Sequence, residues 1–457
     1  MPRRLWAILA VAFGVTLSVL DGTIVNIALP TIASEMHITE ASSIWVVNAY
    51  QLSIMVTLLS FSLLGDLKGY RKIYLGGVAL FTVASVCCSF SQSFGQLIAS
   101  RVVQGIGASA IMSLNTTIIR VIYPRNALGR GMGINATVVA VAAVAGPTLA
   151  SAVLAVTDWK WLFLINLPTG IAALILGLLF LPANPVKVTD RRFSITDAVM
   201  NGLMFGLLIY SIESYAHGTK PATVVAGLAA TGIIGYIFIR RQLSSKFPLL
   251  PVDLMRIPIF SLSVVTSVIS FIAQMSAMVA IPFYMQQRLG YSDVETGLIF
   301  TAWPAVIMVV APIAGILVSK MHAGAMGGIG LTVMSAGLFL LALMPSDASK
   351  ADIVWRLVMC GAGFGFFQSP NNSILIGSAP QYRSGSASGM LGTARLLGQT
   401  TGAALVALMF HISPEHGTKT VLLIAACFAF AGAVMSLTRL SLPLPEALRP
   451  AKGKKQG

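Results

Sequence analysis

Residues 5–30 read LWAILAVAFGVTLSVLDGTIVNIALP, and this stretch decides what kind of fold the chain can adopt. It carries one charge, Asp21, and exceeds the roughly 20 apolar residues that a helix needs to cross the hydrocarbon core of a bilayer. Arg3 and Arg4 precede it as in a secretory leader, but no small-residue cleavage pattern follows, so it is expected to remain as a first membrane span. Comparable runs recur near 43–64, 72–92, 95–118, 131–156, 161–181, 196–214, 221–239, 258–281, 296–318, 325–344, 353–376, 386–411 and 419–438. Only 10% of the 457 residues are charged and 56% are hydrophobic, whereas soluble domains run about 25% charged. Such a chain needs lipid as its solvent, and fourteen spans leave no length for a separate soluble domain. The expected fold is all-α and integral to the membrane.

Orientation follows from Lys and Arg, which are retained on the cytoplasmic side during insertion. With the N-terminus inside, 22 of the 30 bases fall in inside segments, six fall outside, and Arg101 and Arg395 lie within spans. That asymmetry predicts both termini in the cytoplasm. It also places the +15 net charge against an anionic leaflet, with no call for nucleic acid. The cysteines, Cys87, Cys88, Cys360 and Cys427, sit in apolar runs without metal-ligand spacing.

An internal repeat appears at an offset of 256 positions: Gly105 matches Gly361, Gly107 Gly363, Ser113 Ser369, Asn115 Asn371, Gly133 Gly389 and Gly146 Gly402. Small residues let helices approach closely in lipid, so the coincidence predicts two halves on one packing plan. Spans four and five then match twelve and thirteen. The expected organisation is a six-helix bundle over 1–185, two additional central helices over 186–256, a second six-helix bundle over 257–440 and a tail over 441–457. Parallel repeats of this kind place a transport site between the halves.

Ionisable groups inside apolar runs cost several kcal/mol unless they face protein or water, about 2.5–3.5 on insertion scales. Asp21 is either a protonation or cation site or a structural hydrogen-bond acceptor. Arg101 and Gln104 lie one turn apart beside Gly105 and Gly107, which suits a proton relay or plain helix pairing. Glu213 stands near a span end, where it either meets headgroups or titrates. Arg395 precedes Gly398 and Gly402 and reads as structural. The turn Gly65 to Lys72 sets Asp66 and Gly69 beside Lys68, Arg71 and Lys72, a candidate conformational latch. Pro147, after Gly146, removes a helical hydrogen bond and predicts a bend. Asn26, Tyr50, Gln51, Gln274, Met278, Gln368 and Asn372 are candidates to line a cavity, as is Gln104.

The stretch Leu20 to Pro30 resembles the first-span motif of fourteen-span drug:proton antiporters of the major facilitator superfamily. Trp45 to Tyr50, Asp66 to Lys72, Leu97 to Gly107, Gly146-Pro147 and Trp159 to Pro168 resemble further motifs of that family, in the same order. The departures are Ser62 and Leu67 in the loop motif, and Ala142 and Ala150-Ser151 where glycines are usual in the fifth span. The resemblance implies a major facilitator fold and proton-driven efflux of lipophilic or cationic compounds such as quaternary ammonium biocides, dyes and antiseptics. It implies proton or cation coupling at Asp21, proton transfer at Arg101, gating by Asp66 with Arg71, and a leak-limiting bend at Gly146-Pro147.

The scarcity of fixed charges favours a broad apolar pocket over a site for one specific metabolite, which remains the alternative. An enzyme is not expected, since the spans hold neither H-E-x-x-H nor G-x-S-x-G. Nor is a channel, whose symmetry would come from an oligomer. The expected partners are small substrates, protons and membrane lipids. No cofactor beyond the proton gradient is expected, and the setting is the cytoplasmic membrane, as a monomer.

Overall fold

The computed structural model describes residues 2–123, 128–182, 193–216, 221–245, 248–318, 321–345, 348–380, 383–413 and 416–442. Every regular element among them is helical, as lipid requires of a chain that must satisfy its backbone polar groups internally. The long helices are α1 Pro2–Glu35, α2 Trp45–Lys68, α3 Tyr70–Ser89, α4 Phe94–Ile122, α5 Leu128–Leu154, α6 Trp161–Phe180, α7 Ile195–Ala216 and α8 Pro221–Ser244. They continue with α9 Pro258–Phe283, α10 Asp293–Leu317, α11 Ala323–Ala342, α12 Lys350–Ser378, α13 Ser384–Ile412 and α14 Gly417–Thr438.

Twelve helices among the described residues are long and apolar enough to cross a membrane, against the fourteen spans expected. The two that fall short are α12 and α13, each 29 residues long. Their polar residues, Gln368, Asn371 and Asn372 in one and Arg395, Gln399 and Thr400 in the other, dilute the apolar run. Among the bases used for orientation, Arg125, Lys187, Arg191, Arg192, Lys220, Lys246 and Lys320 lie outside the described residues. So do residues 443–457 of the tail.

The repeat reappears as packing. A methyl group added at Gly105 would come within 2.5 Å of the Tyr50 carbonyl on α2, and one at Gly361 within 2.5 Å of the Trp303 carbonyl on α10. Gly107 abuts Gly77 and Phe81 of α3; its counterpart Gly363 abuts Gly330 and Met334 of α11. Gly146 closes on Thr23 of α1, and Gly402 on Ile272 of α9. Helices α1 to α5 thus meet through the same small-residue contacts as α9 to α13. Replacing Gly107 or Gly363 by Val is expected to force those helices apart and remove most of the monodisperse protein on size exclusion. Gly22→Val, at a position with nothing within 4 Å of an added methyl, should leave the yield unchanged.

The α7–α8 hairpin packs on α2 and α13. It turns Val199, Leu203, Tyr210, Val225, Ile233 and Ile237 outward, an apolar surface suited to lipid. The halves meet along α2 and α13 and at the end of the bundle where α1 finishes and α10 begins. There the Thr31 hydroxyl donates to the Asp293 carboxylate (3.1 Å), Ser151 to the Asp293 carbonyl (3.1 Å) and the Gln286 amide to the Ile27 carbonyl (3.1 Å). The Thr148 and Thr301 hydroxyls lie 2.8 Å apart.

Candidate functional site

Asp21 sits in the interior of the first half with no exposure to solvent. Its carboxylate accepts from Arg101 Nη1 (2.5 Å), Gln104 Nε2 (2.8 Å) and Asn166 Nδ2 (3.2 Å). Arg101 is spread over several acceptors: Nη1 also donates to Gln104 Oε1 (2.6 Å) and Nε to the Val46 carbonyl (2.8 Å). Its guanidinium lies 4.2 Å from the Tyr50 ring centroid, a cation–π contact. Ser85 Oγ accepts from Gln104 (3.1 Å) and Asn166 (3.0 Å) while donating to the Phe163 carbonyl (2.9 Å). One carboxylate therefore ties α1, α2, α3, α4 and α6 together.

The geometry follows from local sequence. Arg101 and Gln104, three apart on α4, share a face, and Gly105 lets that face press against α2 so that Arg101 reaches the Val46 carbonyl. A buried ion pair is costly to desolvate and persists only when its remaining donors and acceptors are satisfied, as they are around Asp21. The arrangement sets one carboxylate, through its partners, where five helices meet.

The expected cavity residues divide into two groups. Gln104 and Tyr50 belong to the Asp21 network, the Tyr50 hydroxyl donating to the Ser18 carbonyl (3.1 Å). Asn26 and Gln51 are also buried, and Gln51 Nε2 reaches Met275 Sδ across the two halves (3.9 Å). Gln274 and Met278 are half-buried, one turn apart on α9. Gln368 and Asn372, with Ser369, Ser373, Ile376 and Gly377, line a cavity of about 530 Å³. This cavity lies along the last third of α12. Lys350, at the start of that helix, pairs with Glu295 (2.6 Å) at the end where the halves are joined.

In the candidate latch, Gly69 has φ 110°, a conformation that favours glycine, and it turns α2 directly into α3. Tyr70 donates to Asp66 Oδ1 (2.8 Å), and Arg71 donates to the Leu178 carbonyl of α6. On α5, Gly146 meets Thr23, and the Pro147 carbonyl and Ser151 meet Gly297 of α10, so this segment belongs to the junction of the halves. Glu213 is in α7, and its side chain lies outside the described residues.

Three participants carried no role in the sequence reading. Asn166 and Ser85 complete the Asp21 network. Arg439, counted with the cytoplasmic tail, is instead fully buried; it donates to Asn371 Oδ1 (2.6 Å), Ser436 Oγ (2.6 Å) and Ser263 Oγ (3.0 Å). The signal for Asn166 was present in Trp159 to Pro168, where an amide follows an aromatic cluster.

A helical membrane protein with repeated halves and a buried carboxylate network belongs to a recognisable class of transporters. The profile of the Major Facilitator Superfamily matches residues 11–403, and the chain belongs to that family. It is 54% identical to the uncharacterized transporter YebQ of Escherichia coli (strain K12), over 98% of each chain. It is 30% identical to the riboflavin transporter RibZ of Clostridioides difficile (strain 630), over 92% of this chain and 91% of that one. The tetracenomycin C resistance and export protein of Streptomyces glaucescens is 29% identical over 89% of this chain and 76% of its own length.

Proposed function

We propose that this multi-pass transporter is a proton-coupled exporter of small lipophilic compounds, working by alternating access. The observation that carries the reading is the buried Asp21 carboxylate, held by Arg101, Gln104 and Asn166 inside the first half. A proton on Asp21 removes its charge, loosens Arg101 and so frees α1, α2, α3, α4 and α6 to shift against one another. The hydrogen bonds that join the halves where α1 finishes and α10 begins support alternating access. The Asp66–Arg71 turn and the Gly146-Pro147 segment are the gating elements of this reading.

The length of α12 and α13 supports fourteen spans: their 29 residues extend about 43 Å at 1.5 Å per residue, more than a hydrocarbon core of about 30 Å. The reading keeps two six-helix bundles, 1–185 and 257–440, with 186–256 as an added hairpin and 441–457 as a tail. Both termini are cytoplasmic, in the cytoplasmic membrane. The protein acts as a monomer with the proton gradient as its only energy source.

Export is supported by the tetracenomycin relative, whose name states that activity. The alternative, a carrier for a single metabolite, is favoured by the riboflavin transporter among the relatives. Reconstituted protein under an imposed pH gradient, offered riboflavin and fluorescent amphipaths of either charge, distinguishes them. Several amphipaths are expected to accumulate against their gradients until a protonophore is added. Movement of one metabolite alone supports the alternative, and movement indifferent to protonophore overturns proton coupling.

A further inference from the structure

Arg395 is a cation in the middle of α13 whose situation differs from that of the other arginines within the helical bundle. Arg101 has a carboxylate, an amide oxygen and a carbonyl, and Arg439 has two hydroxyls and an amide oxygen. Arg395 has no acceptor among the described residues; its Nε is buried without a partner, as is that of Arg439, but Arg439 has acceptors at its other nitrogens and Arg395 has none. A bare guanidinium at this depth is costly unless water or a ligand supplies what the protein does not.

The surroundings say where that ligand would be. To one side of Arg395, Ala387, Met390 and Ala394 pack into a core with Phe260 and Leu375 of the second half and Leu59 of the first. To the other, Leu396 joins the core of the first half with Tyr50 and Ile54. Arg395 lies on the strip between, where Ser388 is exposed and Leu391 and Gln399 are half-buried, at three- and four-residue spacing along one face. The residue therefore stands at the seam of the two halves. Arg395 is eleven residues, about 16 Å, from the start of α13; Gln368 on the cavity wall is ten residues, about 15 Å, from the end of α12. Because α12 and α13 run in opposite directions, both residues lie at nearly the same depth.

We propose that Arg395 is the substrate-charge residue of the seam between the halves, receiving the carboxylate or other oxyanion of an amphipathic organic anion whose apolar body rests against the half-buried side chains of that seam. This rests on the export reading and names its substrate class. It departs from the family resemblance, which implied lipophilic or cationic cargo. The residues that line the cavity on α12 carry amides, hydroxyls and an apolar side chain, and Asp21 already has its charge neutralised by Arg101. Arg suits the task because its fork of donors matches a carboxylate in pairs, as a lysine ammonium cannot.

The test uses three probes with one pyrene body: 1-pyrenebutyrate, its methyl ester and a pyrenylbutyl trimethylammonium. Binding to the full chain in lipid nanodiscs is read by energy transfer from the six tryptophans, with empty nanodiscs subtracted. The butyrate is expected to bind at least tenfold tighter than the ester. Arg395→Gln should weaken butyrate roughly 10- to 100-fold while leaving the ester unchanged, the range for a lost hydrogen-bonded charge. Arg395→Lys should fall between, and unchanged ester binding shows that each variant is folded. Equal binding of butyrate and ester, tighter binding of the trimethylammonium, or butyrate affinity unaltered in Arg395→Gln overturns the proposal. The two readings fail separately: butyrate binding through Arg395 without proton-linked transport sinks the coupling alone. Coupled transport of the cation, unaffected by Arg395→Gln, sinks the assignment alone.

Discussion

Asp21→Asn is expected to yield a folded carrier that equilibrates substrate across the membrane but no longer concentrates it. Asparagine keeps an oxygen that can accept from Gln104 or Arg101, so the hydrogen-bond network retains its outline. What it removes is the option of two charge states. If coupling consists of binding and releasing a proton at this position, the variant is frozen in the equivalent of the protonated form, a form the native cycle must tolerate. The steady-state concentration ratio in proteoliposomes under a pH gradient should fall to about one, while exchange of labelled for unlabelled substrate continues. Native-like accumulation by Asp21→Asn would place the coupling site elsewhere.

Arg101→Met should be the most destabilising single change in the network. It leaves the Asp21 carboxylate buried with amide donors alone, and breaking a buried ion pair from one side costs about 3–5 kcal/mol. The second variant, Asp21→Asn with Arg101→Met, removes both charges and should recover most of that loss, since the uncompensated carboxylate is gone. The measurement is the fraction of monodisperse protein surviving a temperature series in detergent. The single variant should aggregate well below the native chain and the double close to it. Equal losses in single and double would mean that Arg101 contributes by packing on Tyr50 and Phe163 rather than through its charge.

The parts of this arrangement that were legible beforehand are those for which lipid makes an unusual residue expensive. Asp21 and Arg101 stood out because each interrupts an apolar run, and Gln104 because it shares Arg101's helix face. The glycine repeat was legible for a related reason: only a close helix contact demands a missing side chain, and Gly105, Gly107, Gly361 and Gly363 each press on backbone of a neighbouring helix. Asn166 and Ser85 were not legible as partners, because an amide or hydroxyl near a helix end is ordinary and its meaning comes from tertiary approach. Arg439 was not legible as a buried residue because it follows directly on an apolar run. The short 3-10 turn Arg439–Ser441 carries its side chain inward to Asn371, against the outward trend of bases at span ends. Of the residues expected to line a cavity, Tyr50 and Gln104 join the Asp21 network, and Gln368 and Asn372 line a cavity on a helix whose polarity also lowers its standing as a membrane span.

The central claim is that a proton moves through this protein each time substrate does, and Asp21 is where it stops. The most direct test is to trap a pH-sensitive dye inside proteoliposomes and follow internal pH as substrate is added, with no pH gradient imposed beforehand. The native chain should produce a substrate-dependent pH change whose direction reverses when the substrate gradient is reversed, and Asp21→Asn should produce none. Substrate movement by the native chain at constant internal pH, or an undiminished pH change in Asp21→Asn, would contradict the account.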